Sequence, residues 1–499
     1  MFLKNGNLHT AVKLSAGALL IYLFIVLFIY DYWFIGDEGY YSLSIYESIG
    51  DGLKPYITFL GKPAFWKPFL MVEAYALMSQ LWGWLLPATA SYRACSAVFS
   101  ALSVGLVYLI SREFLDGKKA LLATVVYALN PIILLYGTKI FMETFAMFFV
   151  LAGLLAAIQL CKGGRNEALL AGIIALAVLG AAFGKSTTIG IMAVMIYGMY
   201  AFFADRGKVV WVGAAAGIAA AVALSVPFLT EFPEAYFKLY MEDFFTKRLG
   251  GFWPGNLVST IGALVYLVPA LIIGWGKVRL NEWKNVFLLL WIAPLLLIAF
   301  KTPYVWYAYY FILPISILAL AGLRADALDV FVLLMLVMVG VLIFVEVDHR
   351  QKNETAVLKT IGFIKENVGK ESCILYAGAI TPMVYSYLGH EEYNYNVALT
   401  NILLRNGTDL VMDAGITQEQ LDSLVFNYRG AEFPQKLSEK RYIFAEWNVL
   451  ADELLFRTDN YGCTDFEYVI VTDYYRKYEL ENYSILYEDE QARAWKMED

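Results

Sequence analysis

Residues 64–86 read AFWKPFLMVEAYALMSQLWGWLL, and whether they cross a bilayer decides the fold. The chain around them is 60% hydrophobic and only 17% charged over 499 residues, with a mean hydropathy of +0.57. That is too apolar for a soluble globular protein, so a polytopic α-helical membrane protein is expected. At roughly 20 apolar residues per span, runs fall at 13–31, 91–111, 119–136, 141–160, 167–184, 186–204, 209–228, 257–275, 285–300, 304–321 and 326–345. Those make about eleven spans, and 64–86 would be one more.

Charge settles the parity. The short loops richest in Lys and Arg are SREFLDGKK (111–119), CKGGRNE (161–167), ADRGK (204–208), GKVRLNEWK (276–284) and LRAD (323–326). With Lys4 and Lys13 holding the N-terminus in the cytoplasm, all five loops are cytoplasmic if 64–86 stays on one side, and all are external if it crosses. The positive-inside rule selects the first arrangement. Glu73 and Gln80 agree, because a carboxylate at bilayer depth costs a few kcal/mol. The stretch is therefore read as an interfacial or re-entrant helix. No small-residue cleavage site follows the first apolar run, so that run is read as a retained span.

The same parity places the loop 32–90, the turn near Tyr136–Lys139, the turn at Gly184–Ser186, the loop 229–256, the segment Lys301–Trp306 and everything beyond about 346 on the external side. Residues 346–499 carry 15 Lys/Arg against 27 Asp/Glu, whereas residues 1–345 carry 23 against 18. This shift divides the chain into a transmembrane domain, 1–345, and an external soluble α/β domain, 346–499. In the latter, 351–368 and 417–428 have helical periodicity, CILYAG (373–378) and EYVIVTDYY (467–475) read as strands, and SILYEDEQARAWKM reads as a hairpin. Three sequons, at Asn353, Asn406 and Asn482, lie there and fit an external location. Cys373 and Cys463 would pair in an oxidising compartment, with two free thiols the alternative. Nothing in the balance is basic enough to imply nucleic acid.

Chemistry-bearing residues concentrate on the external side. Asp37 and Glu38 follow the first span among Trp33, Phe34, Tyr40 and Tyr41. They read either as a solvated loop in an aromatic belt or as a general base with its supporting acid, where partial desolvation would raise a carboxylate pKa. Lys62 and Lys67 each precede a proline, which stiffens and extends the segment that presents them, and such ammonium groups suit a phosphate. Lys139 and Glu143 have i, i+4 spacing at the external start of a span, which would put them on one helix face as a structural pair or a site pair. Lys185 stands alone between two apolar runs. Its GKS string lacks the upstream glycine of a nucleotide loop, since Leu179 occupies that position. The loop 229–256 reads as an amphipathic lid with Arg248 a phosphate ligand, and Lys301 opens a further basic, aromatic patch. His349 and His390 read as ordinary tail residues, and no histidine cluster points to a metal.

The order of these features resembles the GT-C superfamily of lipid-phosphosugar-dependent glycosyltransferases. The likeness is to the branch holding the dolichyl-phosphate-mannose protein mannosyltransferases and the bacterial aminoarabinose transferase of lipid A. It rests on Gly36-Asp-Glu-Gly-Tyr after the first span, GKPAFWKPFL, a helix ending in LWGW, and Arg93 opening the next span. SREFLDGKKALLATVVYALNP, Lys139 with Glu143, Gly184-Lys185, and Lys301 ahead of Pro314 complete it. Lys67-Pro68 stands where members show His or Pro-Pro, and Lys139 and Glu143 stand where Arg and Asp are common. The WWDYG string of oligosaccharyltransferase catalytic subunits is absent. The resemblance implies inverting transfer of a sugar from a polyprenyl-phosphate donor to a hydroxyl of a glycan, lipid or protein at the external face. Asp37, Glu38 and Glu143 would be the acids, and Lys62, Lys67, Lys185, Arg248 and Lys301 the donor-phosphate ligands. No cofactor is implied, and participation of a divalent cation stays open. The rival readings are a transporter or flippase for a lipid-linked sugar, which would more naturally show internal repeats, and a non-catalytic assembly factor of the same fold.

Overall fold

The computed structural model describes residues 5–30, 33–34, 37–52, 57–59, 62–64, 69–163, 166–184, 188–202, 204–231, 282–301, 305–323, 358–377, 383–397, 468–472, 483–488 and 492–497, with isolated positions between 267 and 344. The membrane part is a helical bundle. Helix α1 (Asn5–Phe24) continues through a π-turn, Ile25–Ile29, that ends at Tyr30. Helix α2 (Asp37–Asp51) follows, then a hairpin of β1 (Ile57–Phe59) and β2 (Lys62–Ala64), then α3 (Phe69–Trp82). The bundle continues with α4 (Ala88–Phe114), α5 (Gly117–Ala128), α6 (Pro131–Tyr136), α7 (Met142–Cys161), α8 (Glu167–Gly184), α9 (Thr188–Phe202) and α10 (Ala204–Glu231). Then come α11 (Trp283–Lys301), a 3-10 segment (Val305–Tyr310) and α12 (Ile312–Gly322).

Four helical stretches among the described residues are long and apolar enough to span a bilayer: Gly6–Ile29, Ala88–Phe114, Met142–Cys161 and Glu167–Gly184. Helix α3 has 14 residues, about 21 Å at 1.5 Å per residue, against a hydrocarbon core of about 30 Å. Two expectations change. The run 119–136 is two helices, because Asn130 caps α6 by accepting from the Ile132 N–H at 2.8 Å while Pro131 occupies its first turn. The Ala128 carbonyl at this break accepts from the Tyr22 hydroxyl at 2.9 Å, which pins α1 across it. The ADRGK stretch (204–208), read as a loop, is instead the first turn of α10.

Small residues set how closely the helices approach. A Cβ on Gly105 of α4 would meet Ser15 and lie 3.2 Å from the Ala11 carbonyl of α1. This is the close backbone contact that membrane helices use where lipid gives no hydrophobic drive to associate.

Beyond the bundle, a helix over 358–367 precedes β3 (Ile374–Ala377), α13 (Met383–His390) and β4 (Tyr395–Val397). Later come β5 (Tyr468–Thr472), β6 (Tyr483–Glu488) and β7 (Ala492–Met497). They form one sheet in the order β4-β3-β5-β7-β6. Strands β3, β4 and β5 are parallel, and β6 and β7 are an antiparallel hairpin with a register shift between Ile485 and Tyr487. Cys373 is disulfide-bonded, and Cys95 and Cys161 are free. Cys463, the segment 417–428 and the three sequon asparagines lie outside the described residues.

Candidate active site

The stretch 32–90, read as an external loop, contains helix α2, and Asp37 and Glu38 open its first turn. Acidic residues are favoured there because the unpaired N–H groups and the helix dipole make the end positive. The Glu38 side chain turns into the bundle and is fully buried. Its Oε1 accepts from Arg93 Nε at 3.0 Å and from the Ile140 N–H at 3.1 Å, and its Oε2 accepts from Arg93 Nη2 at 3.0 Å. Arg93 sits in the second turn of α4 and is itself fully buried. Its Nη2 also donates to the Trp33 carbonyl at 3.2 Å. A forked guanidinium suits this two-toothed grip on a carboxylate.

Aromatic rings close the pair off. The guanidinium carbon lies 5.2 Å from the Tyr30 ring centroid and 5.3 Å from that of Phe34, and the Lys139 ammonium lies 5.3 Å from the Tyr30 ring. Each is a cation–π distance. Tyr30 is held by its hydroxyl, which is 3.0 Å from both the Leu135 carbonyl and Thr138 Oγ1. Phe34 stacks on Tyr92 at 5.8 Å. Burial by itself would push the Glu38 carboxyl up. The charges of Arg93 and Lys139, with hydrogen bonds from Arg93 and Ile140, outweigh it and hold Glu38 below its ordinary value. Both Glu38 oxygens are thus engaged, by Arg93 and by the Ile140 N–H.

The turn between α6 and α7 supplies the rest. Ser100 Oγ of α4 donates to the Gly137 carbonyl at 2.6 Å, and a Cβ at Gly137 would itself lie 2.6 Å from that hydroxyl. Only glycine lets α4 and the turn approach this closely, which brings Lys139 and the Ile140 N–H to Glu38. Lys139 precedes α7 rather than lying on it, so the i, i+4 face expected for Lys139 and Glu143 does not exist. The backbone turns extended at Phe141, and α7 starts at Met142. Glu143 lies buried in the first turn of α7. Glu73 is buried on α3, whose Tyr75 shares a hydrogen bond with Ser96, one turn beyond Arg93.

The remaining predicted residues are less fully placed. Lys62 begins strand β2, so the extended backbone expected there is present, and Lys301 ends α11. Side chains of Asp37, Lys62 and Lys301 are not among those described, and Lys67, Lys185 and Arg248 lie outside the described residues. Among the described residues, no group of three or more His, Cys, Asp or Glu could hold a metal.

Two features escaped sequence reading. One is the Glu38–Arg93 pair, which a lone arginine in an otherwise small and apolar helix start could have signalled. The other is His390. It is not an ordinary tail residue: its ring lies 4.7 Å from Tyr46, 5.7 Å from Trp33, 5.8 Å from Tyr92 and 5.9 Å from Phe34. Nothing local in the sequence carries that placement.

The profile of the family described as dolichyl-phosphate-mannose-protein mannosyltransferase matches residues 68–230. No curated relative matches by sequence. Among solved structures, ArnT from Cupriavidus metallidurans bound to undecaprenyl phosphate superposes with a TM-score of 0.64 at 12% identity, covering 97% of each chain. The Archaeoglobus fulgidus oligosaccharyltransferase tethered to an acceptor peptide superposes with a TM-score of 0.51 at 12% identity, over 93% of this chain and 69% of that one. This is a multi-pass membrane protein, and its fold is that of the GT-C superfamily of membrane glycosyltransferases.

Proposed function

We propose that the protein transfers a sugar from a polyprenyl-phosphate carrier to an acceptor hydroxyl at the external membrane face, with inversion. The observation that carries this reading is the gathering of buried charge at one end of the bundle. Glu38, Arg93, Lys139 and Glu143 stand there on separate elements, with Asp37 next to Glu38 in the first turn of α2. Ionisable groups are costly inside a membrane protein and mark a site. The fold shared with ArnT, whose structure holds undecaprenyl phosphate, supports a lipid-phosphate donor.

In this mechanism Asp37 takes the acceptor proton as the oxygen attacks the anomeric carbon. The bond from that carbon to the phosphate oxygen breaks, and the phosphate departs with the electron pair. Glu38, fixed by Arg93 and Ile140, orients Asp37's turn, and Glu143 orients acceptor or donor. Lys62, Lys67, Lys185, Arg248 and Lys301 are the residues proposed to steady the departing phosphate. The topology that goes with this has about eleven spans, a cytoplasmic N-terminus and an external α/β domain from 346. Lys139 acts in this reading from its position near Glu38, whose carboxyl pKa its charge lowers, and not from a shared helix face with Glu143.

The test is transfer of labelled sugar from polyprenyl-phosphate donors by purified wild type and Asp37→Asn. Loss of a proton acceptor is expected to cost about 10²–10⁴-fold in rate. Full transfer by the variant would remove Asp37 from the base role, and no transfer by wild type with any donor would end the reading.

A further inference from the structure

Helix α13, outside the membrane bundle, packs on α2, and its contacts lead in a few steps to the buried ion pair. Ser386 Oγ lies 2.5 Å from Ser42 Oγ, and Ser42 in turn donates to the Gly39 carbonyl at 2.9 Å, in the first turn of α2. The Tyr387 and His390 rings meet Trp33 edge-on at 5.3 and 5.7 Å. Trp33 is the residue whose carbonyl accepts from Arg93. His390 Nδ1 is 2.7 Å from the Ser386 carbonyl. A carbonyl only accepts, so that nitrogen carries the proton. The same ring lies 4.7, 5.8 and 5.9 Å from the rings of Tyr46, Tyr92 and Phe34, and Phe34 in turn lies 5.3 Å from the Arg93 guanidinium.

We propose that α13 is a positioning element of the membrane site. Through His390 and Tyr387 it fixes Trp33, whose carbonyl holds the Arg93 guanidinium and so the aim of Glu38 and the first turn of α2. The segment after the last span thus helps to form the site rather than only capping it. The kinetic part of this inference rests on the glycosyl-transfer reading, but its structural part does not.

The first experiment is a Ser42→Cys/Ser386→Cys pair in the full-length protein. Mild oxidation is expected to join the two cysteines in most molecules, with transfer kept within about threefold. Failure to cross-link, or transfer that stops on oxidation and returns on reduction, would overturn the proposal. The second is His390→Ala beside His390→Phe. The alanine variant is expected to lower kcat at least tenfold, with donor KM within threefold. It should also speed amide exchange in the peptide containing Ile140, whose N–H is held by Glu38. Phenylalanine restores the ring against Trp33 and should recover most of both. Unchanged kcat and exchange in the alanine variant, or equal losses in both variants, would overturn the proposal. Should wild type transfer no sugar, cross-linking and exchange still decide the positioning role, and only the functional reading fails.

Discussion

Two acid–base couples at opposite ends of α4 show what burial does to the same chemistry. Near its C-terminal end, Glu113 pairs with Lys162 of the α7 cap, its carbonyl accepts from Lys284 Nζ at 2.7 Å, and the Lys162 side chain is 52% exposed. Near its N-terminal end, Arg93 and Glu38 pair with side-chain exposures of 1% and 0%. Water reaches the Lys162 ammonium whether or not it touches Glu113, whose own side chain is 15% exposed, so the contact adds little. The second has given up its hydration, and each member depends on the other. The first lies at a half-exposed surface; the second is a costly arrangement that the surrounding contacts must compensate.

The largest effect should come from breaking the buried couple. Arg93→Met leaves a carboxylate enclosed without its partner and is expected to cost about 3–5 kcal/mol, read as a lower unfolding temperature in detergent. The double variant Glu38→Leu/Arg93→Met should regain most of that stability while transfer stays lost. A double variant no more stable than the single one would show that the pair is not the unit the comparison makes it.

A smaller effect is expected from pH. Burial pushes His390 down to about 4, with the Ser386 carbonyl opposing. Free histidine, near 6.5, binds its proton earlier as pH falls. The stability of this contact is therefore complete above about pH 6.5 and declines as pH falls toward 4, by about 1–3 kcal/mol. Among the described residues, Tyr46, Tyr92, Tyr387 across Trp33, Glu392 through Tyr46, and Arg93 beneath Phe34 are ionisable groups around it. Glu38 is also depressed, so its contribution is present above its ordinary carboxylate value and lost only below that, outside a pH 7 to 5 comparison. Wild type should lose unfolding temperature between pH 7 and 5, and His390→Phe should lose less. Equal losses would assign the pH effect elsewhere.

The smallest effect belongs to the exposed end. Lys162→Met should change stability by less than about 1 kcal/mol in the same thermal measurement. A loss comparable to that of Arg93→Met would erase the contrast between the two ends.

Much of the architecture was legible because a bilayer imposes it. Apolar runs mark helices, and Lys/Arg in the loops GKK and CKGGR select a side. Glu73 and Gln80 argued against a crossing by 64–86, where helix α3 has 14 residues. The apolar run at 468–472 and the segments 483–488 and 492–497 pair as strands. The break at Asn130-Pro131 was equally local, an N-cap followed by proline, but the apolar run masked it. Asp37 and Glu38 stood out as an adjacent acidic pair among aromatic residues just after the first apolar run.

Composition and order alone determined a membrane protein with an acidic C-terminal part and an acid pair beside its first apolar run, since hydropathy and charge act residue by residue. Tertiary structure alone decided that Glu38 is held by an arginine 55 positions away, that Lys139 reaches it from a turn rather than a helix face, and that His390 lies against the same aromatic wall. Those contacts depend on where Gly137 lets α4 approach and where α13 docks. Distances across packed elements follow from the sum of the packing, which no single stretch of sequence encodes.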